Sequence, residues 1–458
     1  MVILKINRIK LGLACFLLLA ISDIQAQLNF HPPRIVISNH PMELLLIDGP
    51  PSKVPVAGTQ VEFVVNTDWD VFHSQENKSW YILHQGSWRT SNMLSSGDWS
   101  NTTELPRGFL TLQVSSDWPR VAAAMPARKS NLPPLPIIIS YEPTELVMID
   151  GEMKLEAIGG NGLKFASNTR NDLFLFNDQY YLLLSGRWFS TKDVKRQWSA
   201  VKNLPGVFAE IPTDHRKANV LASVPGTAQA QQAVADAAKP QRAVINTDAG
   251  SDMEVPYVGE PSFVPIEATD LRRAENSPFQ VIMHNNFYYL CTEGAWYSST
   301  APTGPWRAAT EIPEAIYTIP PTDPAYNVTF VRVEPFDDSS NEVAYTSTSG
   351  YYSRYYTGST MVYGTGWYYP GYHHRSAYWR YPHTYGYGYG GYRGARYPYG
   401  YGYGYSHSET YNVDTREKDW EWDLDGNKRR VYNYGPRNYV GSGEYVMPES
   451  ENYKGDGK

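Results

Sequence analysis

Apolar residues along the chain occur in short runs that glycine, proline and Asn-Thr pairs interrupt. Examples are "ELLLIDG" from Glu43, "EFVVNT" from Glu62 and "YYLLLSG" from Tyr180. The runs are rich in β-branched and aromatic side chains, and they keep no sustained 3.6-residue stripe. This pattern predicts short β-strands joined by tight turns.

One aromatic phrase occurs three times, as "WYILHQGSW" from Trp80, "YYLLLSGRW" from Tyr180 and "YYLCTEGAW" from Tyr288. In each copy a tyrosine precedes a glycine by five positions, and a tryptophan follows that glycine by two. A second tryptophan comes ten or eleven residues later, and Leu-Pro or Ile-Pro begins six residues beyond it. The two tryptophans of the copies are Trp88 and Trp99, Trp188 and Trp198, and Trp296 and Trp306.

The repeat extends upstream of this phrase. "ELLLIDG" from Glu43 matches "ELVMIDG" from Glu145, and Asp48 and Asp150 each precede an asparagine by 18 positions. The third copy keeps a glycine and an asparagine but lacks the acidic residue. A period of roughly 100 residues follows, and it predicts repeat units at 35–125, 135–212 and 240–320, the last with an extension to 350.

The predicted fold class is all-β, with tandem antiparallel β-meander repeats. The glycine of each phrase suits the tight turn of a hairpin, because such turns need a residue with positive φ. If each repeat unit contains two small sheets of three or four strands, the three units supply six blade-like sheets, which favours a propeller. Separate β domains are the alternative. One linker, 213–239, contains a predicted helix that starts after the N-cap Thr227 and ends before Pro240.

The first 26 residues are typical of a secretory signal peptide. Lys5, Arg8 and Lys10 precede a short apolar run, and the small residue Ala26 marks a cleavage site. The run is shorter than the roughly 20 residues that a membrane-spanning helix needs, so we expect no transmembrane segment. The protein is therefore predicted to be exported, to the periplasm, the outer envelope or the medium. Without Cys15, Cys291 is the remaining cysteine, so no internal disulfide is possible.

The C-terminal part differs in composition. Residues 351–410 form a low-complexity region that includes "YGYGYGGYRGARYPYGYGYGY" from Tyr385, and we expect it to lack a packed core. Its phenols and arginines suit adhesion or self-association through stacking and cation–π contacts. Residues 411–458 form a charged tail in which Asp425-Gly426 predicts a hairpin.

Charge and motifs narrow the function classes. The net charge of −7 argues against a nucleic-acid partner, whose phosphates need a basic surface. The sequence has no nucleophile elbow, no H-E-x-x-H and no phosphate loop, and no histidine or cysteine spacing predicts a metal site. We therefore expect a protein that is not an enzyme and has no cofactor. A pair of carboxylates for glycoside hydrolysis is the alternative that spacing alone leaves open.

Several segments together resemble a group of secreted bacterial proteins catalogued as carbohydrate-binding family V/XII. They are "YYLLLSGRWF", "GPW" at Gly304, "VLASVPGTAQAQQAV" from Val220 and "IYTIPPTDPAYNVTFVRV" from Ile316. The resemblance covers about 33–370 and implies sugar binding by stacked aromatic rings. The adjacent Trp-Trp pair of small chitin-binding modules is replaced here, by Trp188-Phe189 in the second copy.

The leading hypothesis from the sequence is a non-catalytic protein that binds polysaccharide or peptidoglycan. Flat, exposed aromatic rings can cover the apolar face of a sugar, and linked copies raise the overall affinity. The candidate carbohydrate-binding residues are Trp88, Trp99, Tyr180, Trp188, Phe189, Trp198, Tyr288, Trp296, Tyr297 and Trp306. Two alternatives remain open. The tryptophans can instead be core residues, and the protein can be a structural envelope protein whose Tyr/Gly-rich region self-associates.

Overall fold

The computed structural model describes residues 28–369 apart from 68, 85, 116–117, 131–133, 170, 258, 278 and 337–338. It also describes the strand backbones of 372–374, 377–379, 420–422 and 428–430. The predicted signal peptide 1–26 and most of the Tyr/Gly-rich region and charged tail lie outside the described residues. The chain divides into two compact units. Unit 1 takes the described parts of Met1–Ala237, Pro320–Tyr326 and Ser353–Tyr411, and unit 2 takes those of Ala238–Ile319, Asn327–Tyr352 and Asn412–Lys458.

The first repeat, named repeat A, is built mainly from one antiparallel sheet in unit 1. Two strands precede the sheet, β1 (Arg34–Ser38) and β2 (Glu43–Leu46). The six strands of the sheet follow in sequence order as β3 (Lys53–Pro55), β4 (Val61–Val64), β5 (Asp70–Ser74), β6 (Trp80–His84), β7 (Ser87–Ser91) and β8 (Ser100–Asn101). Two short helices then complete the repeat, α1 (Phe109–Val114) and α2 (Pro119–Ala123).

Repeat B, also in unit 1, has the same order of elements. Its preceding strands are β9 (Ile137–Ser140) and β10 (Thr144–Met148). Its sheet contains β11 (Leu155–Ala157), β12 (Lys164–Ala166), β13 (Asp172–Phe176), β14 (Gln179–Leu184), β15 (Arg187–Thr191) and β16 (Ser199–Ala200). Two 3-10 helices, Gly206–Glu210 and Ala218–Ser223, precede helix α3 (Ala228–Ala237). The Thr227 hydroxyl accepts the Ala230 N–H, which makes Thr227 the N-cap of α3.

Repeat C lies in unit 2 and starts with β17 (Gln241–Asn246). Its six-stranded sheet contains β18 (Phe263–Pro265), β19 (Arg272–Ala274), β20 (Gln280–His284), β21 (Phe287–Thr292), β22 (Ala295–Ser299) and β23 (Arg307–Ala308). After the sheet come the 3-10 helices Glu314–Thr318 and Tyr326–Phe330, then β24 (Val331–Val333), β25 (Glu342–Ser347) and the 3-10 helix Ser349–Tyr352. Strands β17, β25 and β24 form a separate antiparallel sheet in that order.

Three further hairpins follow repeat C along the chain. They are β26 (Arg354–Thr357) with β27 (Thr360–Tyr363), β28 (Tyr372–His374) with β29 (Ala377–Trp379), and β30 (Trp420–Trp422) with β31 (Lys428–Arg430). The predicted turn residues Asp425-Gly426 lie between β30 and β31 but outside the described residues. The first hairpin corrects the predicted start of the low-complexity region at 351, because β26 and β27 belong to the folded part of unit 1.

The described residues are mostly β-structure in antiparallel sheets, as the sequence predicted. Each repeat contains one continuous six-stranded sheet, whereas the sequence predicted two smaller sheets for each repeat. Helices α1 and α2 were not predicted. They are short, and their apolar residues Phe109, Leu112 and Val121 follow no stripe long enough to be recognised.

Repeats A and B exchange the strands that precede their sheets. Strand β1 of repeat A pairs in parallel with β10 of repeat B, and β9 of repeat B pairs in parallel with β2 of repeat A. Leu45 and Ile47 in repeat A and Val147 and Ile149 in repeat B lie in the cores below these strand pairs. Each repeat in unit 1 therefore depends on a strand from the other.

The Asn-Thr pairs of the sequence hold the loop before each sheet. The Asn66 side-chain amide donates to Pro50 O at 2.8 Å, and Thr67 Oγ1 donates to Leu46 O at 2.7 Å. Repeat B has the same two bonds, from Asn168 to Glu152 O and from Thr169 to Met148 O. In repeat C, Asn276 donates to Glu260 O and Ser277 donates to Pro256 O. The repeated spacing between the IDG loop and asparagine thus reflects a backbone anchor.

A second polar contact joins the third strand of each sheet to the segment after the sheet. Asp70 pairs with Arg120 at 2.8 Å in repeat A, and buried Asp172 pairs with buried Lys217 at 2.7 Å in repeat B. In repeat C the equivalent residue is Gln280, whose amide donates to Asn327 Oδ1 at 2.6 Å. The contact is kept in all three repeats, while its charge is lost in repeat C.

The ion pair of repeat B gives a direct stability prediction. Lys217→Ala leaves the buried Asp172 carboxylate without its cation, so we expect a loss of about 3–5 kcal/mol in the free energy of unfolding. Asn219 already bonds Asp172 Oδ2 at 3.2 Å and lies 47 positions after Asp172, the separation between Gln280 and Asn327 in repeat C. The double variant Asp172→Gln/Lys217→Ala therefore reproduces repeat C, whose residue at the lysine position is Ala325. Urea unfolding of both variants should show that the double variant is the more stable; a larger loss in the double variant would contradict this account.

Candidate functional site

The repeated glycine forms the turn between the two central strands of each sheet. Gly86, Gly186 and Gly294 have φ values of 75°, 76° and 75°. Glycine adopts this left-handed conformation without the steric penalty of a side chain. The turn directs the first tryptophan of each repeat to the same face of its sheet. We call this the closed face, because the residues after the sheet cover it.

The first tryptophan of each repeat is a buried anchor. Its indole N–H donates to a carbonyl oxygen 35 or 36 positions later in the chain. The bonds run from Trp88 to Ala124 O at 3.2 Å, from Trp188 to Ser223 O at 2.7 Å and from Trp296 to Val331 O at 3.0 Å. These three rings therefore tie the segment after each sheet to the sheet itself.

An apolar residue from that segment also lies on the closed face. It stands three positions after the proline of the Leu-Pro or Ile-Pro pair, and it is Phe109, Phe208 or Ile316. All three are fully buried. The ring centroids of Trp88 and Phe109 are 5.2 Å apart, and those of Trp188 and Phe208 are 4.9 Å apart. Sequence reasoning missed these residues, although their fixed spacing after the proline was a usable signal.

The opposite face of each sheet is covered as well. In repeat A it packs against β2 and β9, in repeat B against β10 and β1, and in repeat C against Met253 and Val255. The second tryptophans, Trp99, Trp198 and Trp306, lie in these cores. Their indole nitrogens form no hydrogen bond with the described residues, so packing alone holds the rings.

The predicted aromatic platform is therefore wrong for most of its residues. Seven of the ten candidate side chains are buried, with exposed fractions of 7% or less. They are Trp88, Trp99, Trp188, Phe189, Trp198, Trp296 and Trp306. The physical reason is that both faces of each six-stranded sheet are covered, whereas the prediction assumed that one face meets solvent. A sugar ring cannot stack on an indole that already contacts the protein on both sides.

The other three candidates, Tyr180, Tyr288 and Tyr297, are partly buried. Tyr180 and Tyr288 occupy the same position as Trp80, at the start of the fourth strand, so each repeat keeps a partly exposed ring there. Tyr297 packs closely against Gly250, where a Cβ would come within 2.8 Å of the ring. Burial raises the pKa of Tyr297 to about 12.

The ring of Trp80 lies in a polar cluster that the sequence did not reveal. The Glu62 carboxylate is 2.9 Å from Lys53 Nζ and 2.9 Å from His73 Nδ1. The His73 and Trp80 ring centroids are 4.7 Å apart, and Lys53 Nζ lies 5.9 Å from the Trp80 centroid. Burial acts to raise the pKa of Glu62, but hydrogen bonds from Lys53 and His73 outweigh it and lower the pKa to about 2.

A second charged cluster is buried in repeat A. Glu43 Oε2 lies 2.6 Å from an Arg89 terminal nitrogen, and Glu43 Oε1 lies 3.3 Å from His84 Nε2. The His84 ring stacks on Trp69 with centroids 3.7 Å apart and an interplanar angle of 9°. Burial acts to raise the pKa of Glu43, and His84 and Arg89 together lower it. Arg89 also donates to Leu135 O, so this cluster fastens the segment before β9.

The turn in repeat B carries a buried arginine. Arg187 donates to four backbone oxygens, those of Asn29 at 3.0 Å, Ser185 at 3.2 Å, Tyr363 at 2.7 Å and Gly364 at 2.8 Å. At the neighbouring Gly186, a Cβ would clash with the Met361 carbonyl. Arg187 and Gly186 therefore dock the β26–β27 hairpin and the segment before β1 onto repeat B.

The aspartates of the two IDG loops and Cys291 are placed as follows. The Asp48 and Asp150 backbone oxygens accept the Asn66 and Asn168 side-chain amides. Cys291 is buried, and burial raises the pKa of its thiol. Among the described residues, no three His, Cys, Asp or Glu side chains are placed to hold a metal ion. None of the helices in the described part of the chain is long and apolar enough to cross a membrane.

Comparison with known proteins gives no relatives. No family model matches the chain, and no curated protein or solved structure is significantly similar to it. The functional interpretation therefore depends on the geometry described above.

The two tryptophans of repeat B provide a matched test of the anchor. Trp188→Phe removes the donor to Ser223 O, whereas Trp198→Phe removes a similar volume without breaking a hydrogen bond. We expect Trp188→Phe to lower the free energy of unfolding by about 1–3 kcal/mol more than Trp198→Phe, because a buried carbonyl loses its partner. Urea unfolding measures the difference, and equal losses would show that the bond does not contribute.

The lowered pKa of Glu62 predicts an acid dependence of stability. A carboxyl group with a lowered folded-state pKa stabilises the fold above its unfolded value of 4.5, and this stabilisation is lost as pH falls to about 2. Glu62→Gln should therefore lower stability at pH 7 and flatten its decrease between these two pH values. Thermal unfolding across the range measures both effects. Glu152→Gln, at an exposed position in repeat B, controls for the change in net charge.

Proposed function

We propose that the protein is a non-catalytic, exported scaffold of the cell envelope or cell surface. Its repeats form the rigid part, and its Tyr/Gly-rich region makes the adhesive contacts. The observation that carries this proposal is the burial of the repeated tryptophans. Residues that a chain repeats for ligand binding have to reach the ligand, and here both tryptophans of every repeat are core residues.

The sequence supports the remaining parts of the proposal. The signal-peptide pattern of 1–26 favours export, and the phenols of 381–405 favour stacking on polymers or on other copies of the chain. The absence of a recognisable catalytic motif favours a binding or structural role. The propeller arrangement of the repeats stays a prediction, because a propeller requires all the sheets to be arranged around one common axis.

Glycan binding is the second candidate function, now through other aromatic rings than the buried tryptophans. One observation favours it, namely the partly exposed ring at the start of the fourth strand in each repeat. Trp80, Tyr180 and Tyr288 would each offer one ring edge, with Glu62 and His73 as hydrogen-bonding groups beside Trp80. A single ring contributes only about 0.5–1.5 kcal/mol, so this candidate needs several rings to bind one polymer together. The family resemblance of the sequence also points to this candidate.

A sedimentation assay with insoluble chitin, cellulose and peptidoglycan separates the two candidates. The full chain is compared with two variants, one with serine in place of the tyrosines of 381–405 and one with Trp80, Tyr180 and Tyr288 changed to alanine. The scaffold proposal predicts that the first variant loses retention at least about tenfold and that the second keeps it. The opposite result would favour glycan binding by the repeats, and equal retention of all three chains would contradict both candidates.

A further inference from the structure

Strand β17 is one of the two outer strands of the three-stranded sheet in unit 2. It pairs with β25 on one side, and no strand of the described residues pairs with its other side. Thr247 donates its N–H to Asn341 O. In an antiparallel pair, every second residue directs its backbone N–H and C=O to the partner strand, so this bond shows which residues of β17 do so. Odd-numbered residues therefore direct their backbone groups to β25, and Arg242, Val244 and Asn246 direct theirs outward.

The outer strands of the six-stranded sheets contain only two or three residues each, and some end in proline. Strands β3 and β18 end in Pro55 and Pro265, which lack an N–H, and the outer strands β8, β16 and β23 contain two residues each. Proline, charge and short length are the usual means of protecting sheet edges. Strand β17 has six residues and no proline, and its central Val244 is 45% exposed. Its edge is suited to pairing.

The sequence of β17 is self-complementary about Val244. In an antiparallel pair of two β17 strands, Val244 lies opposite its own copy, Ala243 opposite Ile245, and Arg242 opposite Asn246. The two Val244 residues can exchange N–H and C=O bonds, and each Asn246 N–H meets an Arg242 carbonyl. The Asn246 carbonyl already accepts the Ala249 N–H, so it does not need a partner in this arrangement.

Charge also permits this pairing. The Arg242 guanidinium is held by Glu334, which directly follows β24, with N–O distances of 2.9–3.0 Å. Thr346 donates to the same carboxylate at 2.6 Å. The guanidinium is therefore compensated before a second strand arrives. The register places each Arg242 opposite a neutral asparagine, so like charges are not brought face to face.

From these observations we propose that β17 pairs with β17 of a second copy of the chain. The pair has two-fold symmetry and joins two three-stranded sheets into one six-stranded sheet. The partly buried Ala243 and Ile245 of the two strands then lie opposite each other across the new pair. This surface lies in the repeats, so it is independent of the Tyr/Gly-rich region of the proposed function. The contact is small, which predicts weak dimers with a Kd on the order of 10 µM.

Analytical ultracentrifugation of the full chain from about 1 to 500 µM tests the dimer. We expect a reversible dimer in the natural sequence and at least about tenfold weaker association in Val244→Pro, which removes the central N–H donor. Val244→Lys keeps the N–H but places two cations opposite each other, and it should also weaken the dimer. The matched control is Val54→Lys, a 36% exposed valine on the edge strand β3, which should leave the dimer unchanged.

Amide hydrogen exchange identifies what covers the strand. Protection of the Val244 amide should rise with protein concentration, because a second copy supplies the acceptor. Protection that is complete at the lowest concentration would overturn the proposal, since another segment of the same chain would then cover β17. A monomer at every concentration would also overturn it, and so would a dimer that persists in both Val244 variants. The latter result would place self-association elsewhere, as in the Tyr/Gly-rich region.

Discussion

The hydrogen bond from a buried indole to a distant carbonyl is the interaction on which each repeat depends. A single sheet cannot bury both of its own faces, so other segments have to cover them. The cover of the closed face comes from the segment that follows the sheet in the chain. The indole N–H fixes where that cover ends, and the apolar residue after Leu-Pro or Ile-Pro fixes where it begins. The bond offsets the cost of burying the indole N–H of this first tryptophan away from water. One side chain therefore provides apolar contact area and sets the path of some 35 residues.

Repeat C differs from repeats A and B at the strand before the sheet. Leu44 and Leu46 of repeat A are buried, and they lie in strand β2, which pairs with β9 of repeat B. The equivalent residues of repeat C are Glu254 and Pro256, and both are exposed. A charge and a missing N–H make this segment unsuitable for a parallel partner. Repeat C also differs at Gln280 and Asn327, where a neutral contact replaces the ion pair of repeats A and B. Repeats A and B therefore fold as one unit by exchanging strands, while repeat C forms the centre of the other.

The repeat period, the β class and the hairpin turns could be predicted from the sequence, because each depends on local residue types. Helix α3 could be predicted for the same reason, since Thr227 and the alanine-rich run act within one segment. The strand exchange could not, because it pairs residues about 100 positions apart with no local marker. The cover on the closed face could not either, because nothing in the sequence marks the carbonyl, 35 or 36 positions later, that the indole N–H meets. The exposure of Trp88 and Trp188 was misjudged for this reason. A tryptophan that binds a sugar and one that anchors a loop have the same local sequence.

Repetition inside one chain is therefore a poor guide to function here. Among the positions that recur in all three repeats, the turn glycine, both tryptophans and the asparagine with its neighbouring hydroxyl support the fold. Residues available for contacts with other molecules include some in which the repeats differ, such as Glu62 and His73 in repeat A, and β17 in repeat C. Such differences arise where internal packing imposes no requirement. The surface of each repeat must therefore be analysed separately, although the three repeats share the same core contacts.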